Sequence, residues 1–552
     1  MAKPERRTNP VLLKPGMTIG AAAAEVDDDY LIPCFVQYPP VEQCLNMNSR
    51  GTVIDGRTGS GKTAILKYVA HSVEHSCEID PFDMSMSYVS NSDVLSFLHA
   101  IGADLDLLFQ VLWKHVLCIE FIRLRFSIKD ETSSRGVFSW IADKFYHDAR
   151  RNKAVAYLRE WEGKYWITMD QNIKELTEKI ENAVKAELGV EIEKFKLGGQ
   201  YDKRLSVDKK SEFVHRVKKI ISAEQLSELG AVIDLLSELE ADATGHKHYY
   251  ILIDRLDESW VDASVRFKLI RGLIESLKAF RKIRDLKILV AARSDVLERV
   301  VQETKDLTFQ REKLEDYFVQ LKWSKGLLKD LVDRRITQLF KKQYTQGQIT
   351  FDDVFPHKVS GMAPFDYMIE RTLMRPRDII AFVNECLNES QGKYEVTATI
   401  LKKAEAQYSS KRLTNLEQEW QSAFPSVGRL LTGFLGSKRK PLLPFEDFCP
   451  SKEMDDMALS IYSEAKRGFD PLHEAAEAHC FSPSLTFAKT VVSILYRVGA
   501  IGVKLETSAP HQYSYLNHPL LRVAQIPDEN VSIRIHPMLQ AALRVSETLK
   551  SE

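Results

Sequence analysis

The sequence predicts an α/β fold with a parallel β-sheet, and three stretches carry this prediction. The first is Gly56-Arg-Thr-Gly-Ser-Gly-Lys-Thr63, which lies between a β-prone segment and a segment with apolar residues at helical spacing. The other two are mostly apolar runs, 249–253 and 286–292, and each is followed by polar residues. Strands that are buried on both faces of a parallel sheet have this appearance.

The glycine-rich stretch fits the phosphate-binding pattern G-x-x-x-x-G-K-[ST] at every fixed position. Its glycines let the backbone turn tightly, so that N–H groups face phosphate oxygens. The helix that follows directs the positive end of its dipole at the same anion. We therefore expect Lys62 to reach the β- and γ-phosphates of ATP and Thr63 to hold Mg²⁺. The predicted nucleotide-binding residues of this stretch are Gly56, Arg57, Thr58, Gly59, Ser60, Gly61, Lys62, Thr63 and Ala64.

Acidic residues follow the apolar run that ends at Ile253. In open α/β sheets, ligands bind beyond the carboxyl ends of the strands. Asp254 is therefore predicted to bind magnesium, usually through water. Asp257 or Glu258 would orient or deprotonate the attacking water, and the residues leave this choice open.

The second run ends in Arg293-Ser294-Asp295. Arg293 or Ser294 is placed to sense the γ-phosphate from a neighbouring strand end, although a structural salt bridge explains Arg293 equally well. Asp295 is expected to cap the following helix. Further along, Arg375 and Arg377 flank Pro376 at a predicted helix start, where they would reach the nucleotide or form ordinary ion pairs between helices.

Composition limits the possible functions. The chain has 552 residues, 44% of them hydrophobic and 28% charged, with 76 basic and 77 acidic residues. No apolar run approaches the roughly 20 residues of a membrane span, and the start lacks a signal-peptide core, so we expect a cytoplasmic protein without membrane contact. The seven cysteines are scattered without a C-x-x-C pair, which argues against a zinc site or a disulfide framework.

We predict a core in two parts that is interrupted by a Lys- and Glu-rich helical region. The predicted segments are a flexible tail (1–16), the first part of the core (17–130), a helical insertion (131–245), the second part of the core (246–300), a helical lid (301–422) and a winged-helix-like domain (423–552). The last assignment comes from an amphipathic helix, 484–498, followed by two β-prone segments, 501–506 and 512–516. The basic loop at 436–441 and this domain together leave nucleic-acid binding open.

These motifs together resemble bacterial P-loop ATPases of the AAA+/STAND broad class. They are most similar to stand-alone ATPases of anti-phage defence loci, over roughly residues 18–400. The related NACHT and KAP proteins carry a second acid three residues after the first, which favours Asp257 as the water-positioning residue. AAA+ enzymes often have Glu directly after the magnesium Asp, whereas this chain has Arg255. That departure implies slow hydrolysis.

The resemblance also implies a helical lid, a winged-helix tail and a homo-oligomer in which an arginine acts across the subunit interface. Candidates for that arginine are Arg334, Arg335, Arg375 and Arg377. The implied function is an ATP-driven switch in anti-phage defence that recruits or licenses a separate effector protein. The alternatives are a DNA-bound remodeller similar to origin-recognition ATPases and a nucleotide-binding scaffold without turnover.

Overall fold

A computed structural model describes most of the chain. The described residues are 12–81, 106–129, 135–136, 140, 152–161, 171, 174–175, 178–179, 182, 186, 196–197, 200–201, 215, 227–238, 247–258, 263–303, 315–341, 348–421, 423–464, 470–516 and 520–546. They form two compact units, and each is described separately. The sheet unit comprises Gln37–Arg57 and Lys62–Leu321, and the helical unit comprises Met1–Val36, Thr58–Gly61 and Lys322–Glu552.

The sheet unit contains a five-stranded parallel sheet, as the sequence predicts. Its strands are β1 (Val53–Gly56), β2 (His75–Ile79), β5 (Tyr249–Ile253), β6 (Leu286–Arg293) and β7 (Phe318–Gln320). They lie in the order β2-β5-β6-β1-β7. In the register, Ile253 is paired with Val290 and Gly56 with Arg293, so the strands end near one another at the carboxyl edge. A sixth and seventh strand, β3 (Lys196–Leu197) and β4 (Gln200–Tyr201), form a separate antiparallel pair.

Helices surround this sheet and share its apolar core. They are α1 (Pro39–Leu45), α2 (Lys62–Ser72), α3 (Asp106–Phe126), α4 (Asn152–Glu160), α5 (Ser227–Glu238), α6 (Ala263–Phe280) and α7 (Ser294–Glu303). Helices α1, α2, α3 and α7 contact the strands, α5 and α6 pack on α3, and α4 packs on α5. Residues 103–125 are apolar nearly all round, which predicts a buried helix. Helix α3 confirms this prediction, and its Trp113 is fully buried and donates from Nε1 to the carbonyl of Leu269 at 2.9 Å. The sequence also predicts a short strand over 80–90, most of which lies outside the described residues.

Much of the predicted insertion, 131–245, lies outside the described residues. The Gly-Gly pair at 198–199 predicts a β-hairpin within 190–203, and β3 and β4 pair on either side of it. The sequence also predicts a helix over 224–240 with a capping box formed by Ser222 and Gln225. The helix is present as α5, and the capping pair lies outside the described residues. Helix α5 contributes to the same apolar core as the sheet.

The longest segment of the helical unit, Lys322–Glu552, begins with a series of helices. These are α8 (Lys325–Lys341), α9 (Phe351–Val354), α10 (Pro364–Ile369), α11 (Pro376–Glu389) and α12 (Ala398–Trp420), followed by a π-helix (Arg429–Phe434). Pro376 occupies the first position of α11, as expected for a helix start. The described residues 12–36 belong to this unit, and there Asp27 forms a buried ion pair with Arg335 of α8, Nη2 to Oδ2 2.5 Å.

The last part of the helical unit combines short helices with a small antiparallel sheet. Its elements are β8 (Leu442–Pro444), α13 (Phe445–Phe448), α14 (Ser451–Tyr462), α15 (Pro471–Phe481), α16 (Leu485–Val498), β9 (Ile501–Lys504), β10 (Ser532–Ile535) and α17 (Pro537–Leu543). The strand order is β8-β10-β9. The two β-prone segments 501–506 and 512–516 meet through one antiparallel bridge, Val503 to Gln512, and the strand that pairs along the length of β9 is β10.

Among the described residues, we find no helix that combines the length and the apolar character needed to cross a membrane.

Candidate nucleotide site

The glycine-rich loop connects the end of β1 to the start of α2. Gly59 and Gly61 adopt positive φ angles of 76° and 98°, a region that favours glycine. The Nζ atom of Lys62 donates hydrogen bonds to the carbonyls of Gly56 at 3.0 Å and Arg57 at 3.2 Å. The lysine is therefore folded back along the loop, which places its cation beside the backbone turn.

The tip of the loop, Thr58–Gly61, groups with the helical unit. The backbone N–H of Arg377 donates to the carbonyl of Gly59 at 3.4 Å, and Trp323 Nε1 donates to the carbonyl of Ser60 at 2.8 Å. A Cβ atom on Gly59 would lie 2.7 Å from Cβ of Arg377, so this position has no room for a side chain. The hydroxyls of Thr58 and Ser60 are buried without a hydrogen-bond partner in the described part of the chain.

Asp254 lies directly after β5 and contacts the loop helix. Its carboxylate accepts hydrogen bonds from the side chain of Thr63 and from the backbone N–H of Arg255, the latter at 2.9 Å. Burial raises the pKa of Asp254, and these two hydrogen bonds oppose the increase. The two residues predicted to hold magnesium, far apart in the sequence, are thus in direct contact.

Arg255 has a left-handed backbone, with φ of 59°. Its guanidinium forms an ion pair with Asp80 at the end of β2, Nη1 to Oδ2 2.9 Å, and lies 3.8 Å from Oε1 of Glu258. The positive φ is unusual for a residue with a side chain and costs of order 1 kcal/mol. Glu258 is half-exposed, and burial still raises the pKa of its carboxyl group.

Arg293, the last residue of β6, is held by two acids. Its Nε and Nη2 bind the two carboxylate oxygens of Asp295 at 2.9 and 2.8 Å, and Nη1 lies 3.2 Å from Oδ2 of Asp257. The salt-bridge interpretation of Arg293 is therefore realised in this structure. The capping prediction for Asp295 was wrong, because Asp295 is the second residue of α7 and binds Arg293.

The charges of these side chains act on Lys62. Burial lowers the pKa of its ammonium group, the nearby carboxylates of Asp257 and Asp254 raise it, and the Arg293 cation lowers it again. The carboxyl edge of the sheet thus gathers three cations, Lys62, Arg255 and Arg293, and several carboxylates. An arrangement of this kind suits a compact polyanion together with a divalent cation.

The two arginines proposed at the helix start have different surroundings. Arg375 is 2% exposed, and it binds Asp378 at 3.0 Å, both carboxylate oxygens of Glu419 at 3.1 Å, and the carbonyl of Thr58. The ion-pair alternative therefore describes Arg375. Arg377 is the residue packed against Gly59, and burial lowers the pKa of its guanidinium.

Three other predicted cations prove to be structural or paired. Arg335 is buried and donates to Asp27 and to the carbonyl of Ile19, so it is not available to a second subunit. Arg334 pairs with Asp330 at 3.0 Å and remains half-exposed. Lys438, predicted as part of a basic loop, is 7% exposed and pairs with Glu453 at 2.5 Å, which removes it from any DNA-binding surface.

Sequence reasoning missed two contacts of the site. Asp80 follows β2 at the carboxyl edge and binds Arg255. Ser294 donates to the buried carboxylate of Asp55, Oγ to Oδ1 2.6 Å, and so links β6 to β1 directly before the loop. An acid directly after a strand was the available signal for Asp80, while the Asp55–Ser294 pair left no signal in the sequence.

Comparisons with known proteins match parts of the chain. A family model described as the FunZ-associated C-terminal helical domain matches residues 326–417, which run from α8 into α12. The chain is 22% identical over 307 residues to the "Putative transposon gamma-delta 80.3 kDa protein" of Escherichia coli strain K12, a match that covers 54% of this chain and 40% of that protein. It is 27% identical over 123 residues to "Allergen Alt a 2" of Alternaria alternata, covering 22% of this chain and 65% of the allergen.

The chain therefore spans less than two thirds of the length of the curated relatives it matches. No solved structure matches the chain. Together, the fold and the family model describe a mixed α/β protein with a five-stranded parallel sheet and a helical region, 326–417, that is similar to the FunZ-associated C-terminal helical domain.

Proposed function

We propose that this chain is a P-loop ATPase that acts as a slow molecular switch. The observation that carries the proposal is the hydrogen bond between Thr63, in the glycine-rich loop, and Asp254, after β5. A hydroxyl from the loop and a carboxylate from a second strand are the usual protein groups near the magnesium of such ATPases. The sequence motif and the contact between Thr63 and Asp254 are independent observations, and both support a site at this loop.

The strand order supports this site. The loop follows β1, an interior strand, while Asp254 follows β5 and Arg293 ends β6. All three strands are parallel, so their carboxyl ends lie at one edge, where ligands of open α/β sheets bind. The positive φ angles of Gly59 and Gly61 and the unpartnered hydroxyls of Thr58 and Ser60 fit a loop that receives phosphate oxygens.

Each residue of the candidate site has a separate role in the proposed ATP hydrolysis. Thr63 and Asp254 would hold Mg²⁺, which supplies charge neutralisation at the phosphates when bound. Lys62 binds the phosphate oxygens, and Arg293 stabilises negative charge next to it. Asp257, held by Arg293, positions the water, with Glu258 as the alternative acid. Arg255 occupies the position after Asp254 and is engaged with Asp80, which fits slow turnover.

The switch would license a partner effector, in bacterial anti-phage defence. The helical unit supports a partner role through the match of residues 326–417 to a FunZ-associated domain. We propose that nucleotide binding changes the homo-oligomeric state of the chain and the access of the effector to this unit. Arg334 is half-exposed and is the candidate for an arginine that acts across the subunit interface.

A comparison of Lys62→Ala with Lys67→Ala tests the ATPase proposal. Both changes remove a lysine from α2, and Lys62 donates hydrogen bonds to the carbonyls of the loop, whereas Lys67 lies outside the phosphate-binding pattern. We expect Lys62→Ala to abolish binding of a fluorescent ATP analogue with magnesium, as well as turnover and any ATP-dependent change in particle mass by light scattering. Equal nucleotide binding by both variants would refute the site. If the wild type binds ATP but does not hydrolyse it, the nucleotide-binding scaffold without turnover is the interpretation that remains.

The alternative function is a DNA-bound remodeller. Two observations favour it, namely the helix-then-sheet layout of 485–535 and the name of the Escherichia coli relative, a putative transposon protein. The burial of Lys438 weakens the proposed DNA contact of that domain. An exchange of Arg439 and Lys440 for alanine would separate the alternatives, because DNA binding through this domain requires its exposed cations.

A further inference from the structure

Two adjoining cavities lie at the amino edge of the parallel sheet, the edge opposite the predicted nucleotide site. Their volumes are about 560 and 340 Å³. Both are lined by Met47, Asn48 and Arg284, so they form one continuous depression. Its walls are the segment that leads into β1 and the segment between α6 and β6. We call it the amino-edge groove.

The lining of this groove is strongly basic. Its ionisable side chains are Arg50, Arg281, Arg284, Lys287, His248 and Asp285. Asp285 is the one acid among these described lining residues, and it lies 3.6 Å from Arg125. A chain with a net charge of −1 therefore concentrates positive charge at this edge. Such local concentration attracts polyanions.

Lys287 stabilises one wall of the groove, whereas Arg50, Arg281 and Arg284 are available to a ligand. Lys287 is 3% exposed, and its Nζ donates to the carbonyls of Gln43, Asn46 and Ser49, which fixes one wall. Arg284 is exposed and has no ion pair or side-chain hydrogen bond within the described part of the chain.

The other two available arginines have weak or partial engagements. Arg50 pairs with Asp316 at 2.8 Å, but both side chains are more than half exposed, so the pair contributes little. Arg281 donates one hydrogen bond to the hydroxyl of Tyr317 at 2.9 Å and keeps its other donors. Three guanidinium groups thus face the solvent along one groove.

The shape and chemistry of the groove favour an extended ligand with several phosphates. Arginine presents a planar fork of donors that matches a phosphate group. Cations distributed along two joined cavities can each bind a successive phosphate, whereas a single small anion would engage one of them. The apolar side chains beneath the basic rim, Leu277, Ile283 and Ile288, are buried, so the exposed chemistry of the groove is that of its cations. A basic groove that follows the phosphate backbone is the electrostatic part of single-strand binding sites.

We infer that the amino-edge groove binds single-stranded nucleic acid through its phosphate backbone. Recognition is by charge and is independent of sequence, because no element in the groove is placed to read paired base edges. The binding does not require the nucleotide site, which lies at the other edge of the sheet. This inference therefore stands or fails separately from the ATPase proposal.

The test is fluorescence anisotropy with a labelled oligothymidylate, performed on the full chain without ATP at low salt. We expect wild-type binding and a roughly tenfold or greater loss in Arg50→Ala/Arg284→Ala. The slope of log affinity against log salt should fall by about 1.4, because two phosphate contacts are lost from a single strand. A melting temperature equal to that of the wild type would confirm that the variant folds.

The matched control is Arg439→Ala/Lys440→Ala, which removes two exposed cations from the C-terminal part of the helical unit. It should bind the oligonucleotide as the wild type does. Three results would overturn the inference: no wild-type binding at low salt, loss in the control with retention in the groove variant, or displacement of the oligonucleotide by equimolar inorganic tripolyphosphate. The last result would identify a site for small anions instead.

Discussion

The two edges of the parallel sheet carry similar cations in different environments. At the carboxyl edge, Arg293 is 13% exposed and contacts both Asp257 and Asp295. At the amino edge, Arg284 is exposed and has no acid partner in the described part of the chain. The comparison shows that the number of basic residues does not define a site, because the pairing of each cation determines which ligand it can bind.

Burial and pairing give the two edges different electrostatics. Charges at the carboxyl edge are held in fixed positions by neighbouring acids, and their interactions are little screened by salt. Charges at the amino edge are surrounded by water, so their interactions weaken as salt increases. We therefore expect a compact, metal-assisted ligand at the carboxyl edge and an extended, salt-sensitive ligand at the amino edge.

The largest effect is expected for the most completely paired arginine of the chain's described part, Arg375 in the helical unit. Arg375→Ala would leave Asp378 and Glu419 buried without this cation, which costs about 3–5 kcal/mol. Urea denaturation of the full chain measures the loss. Arg334→Ala, an exposed pair on the same unit, should cost less than about 1 kcal/mol. Equal costs would show that pairing does not distinguish these arginines.

The next largest effect is expected at Asp254, which is proposed to hold magnesium at the carboxyl edge. Asp254→Asn keeps the shape of the side chain and its contact with Thr63 but removes the charge that would hold magnesium. We expect ATP turnover to fall more than about a hundredfold, since a metal contributes several kcal/mol to charge stabilisation. Steady-state phosphate release checks this expectation. Turnover within twofold of the wild type would exclude Asp254 from the site.

Salt should separate the two edges directly. Between about 50 and 200 mM salt, oligonucleotide binding at the amino-edge groove should weaken roughly tenfold or more, as expected for a few phosphate contacts. Binding of ATP with magnesium should change by less than that. Both affinities can be titrated on the same wild-type preparation. If salt weakened both affinities equally, the proposed difference in screening between buried and exposed cations would be contradicted.

The smallest effect is expected at Arg255. Arg255→Ala removes the guanidinium beside Glu258 and the ion pair with Asp80. If that arginine restrains the acidic segment, turnover should rise a few-fold, and ATP affinity should stay constant. Initial rates at saturating ATP measure the change. Asp80→Asn should raise turnover in the same direction, and opposite responses of the two variants would contradict a shared restraint.

Local sequence patterns were sufficient for the loop and the strands. The spacing of Gly56, Gly61 and Lys62 predicts a phosphate loop because each residue type serves a local backbone requirement, and the structure places positive φ angles at Gly59 and Gly61. The strands β5 and β6 were predicted because continuous apolar runs are typical of buried parallel strands. The choice between Asp257 and Glu258 remains a prediction.

What only the tertiary structure decided is which distant residues meet. Nothing in the sequence around Arg375 distinguishes a nucleotide contact from its buried network with Asp378 and Glu419, because an ion pair depends on positions brought together by packing. The same holds for Arg255 with Asp80 and for the amino-edge groove, whose walls come from residues 45–52 and 277–288. The sequence by itself determined the local backbone of the glycine-rich loop, since backbone conformation depends on neighbouring residues. Pairing, burial and exposure of each charge were decided by the fold, because they depend on contacts between segments far apart in the chain.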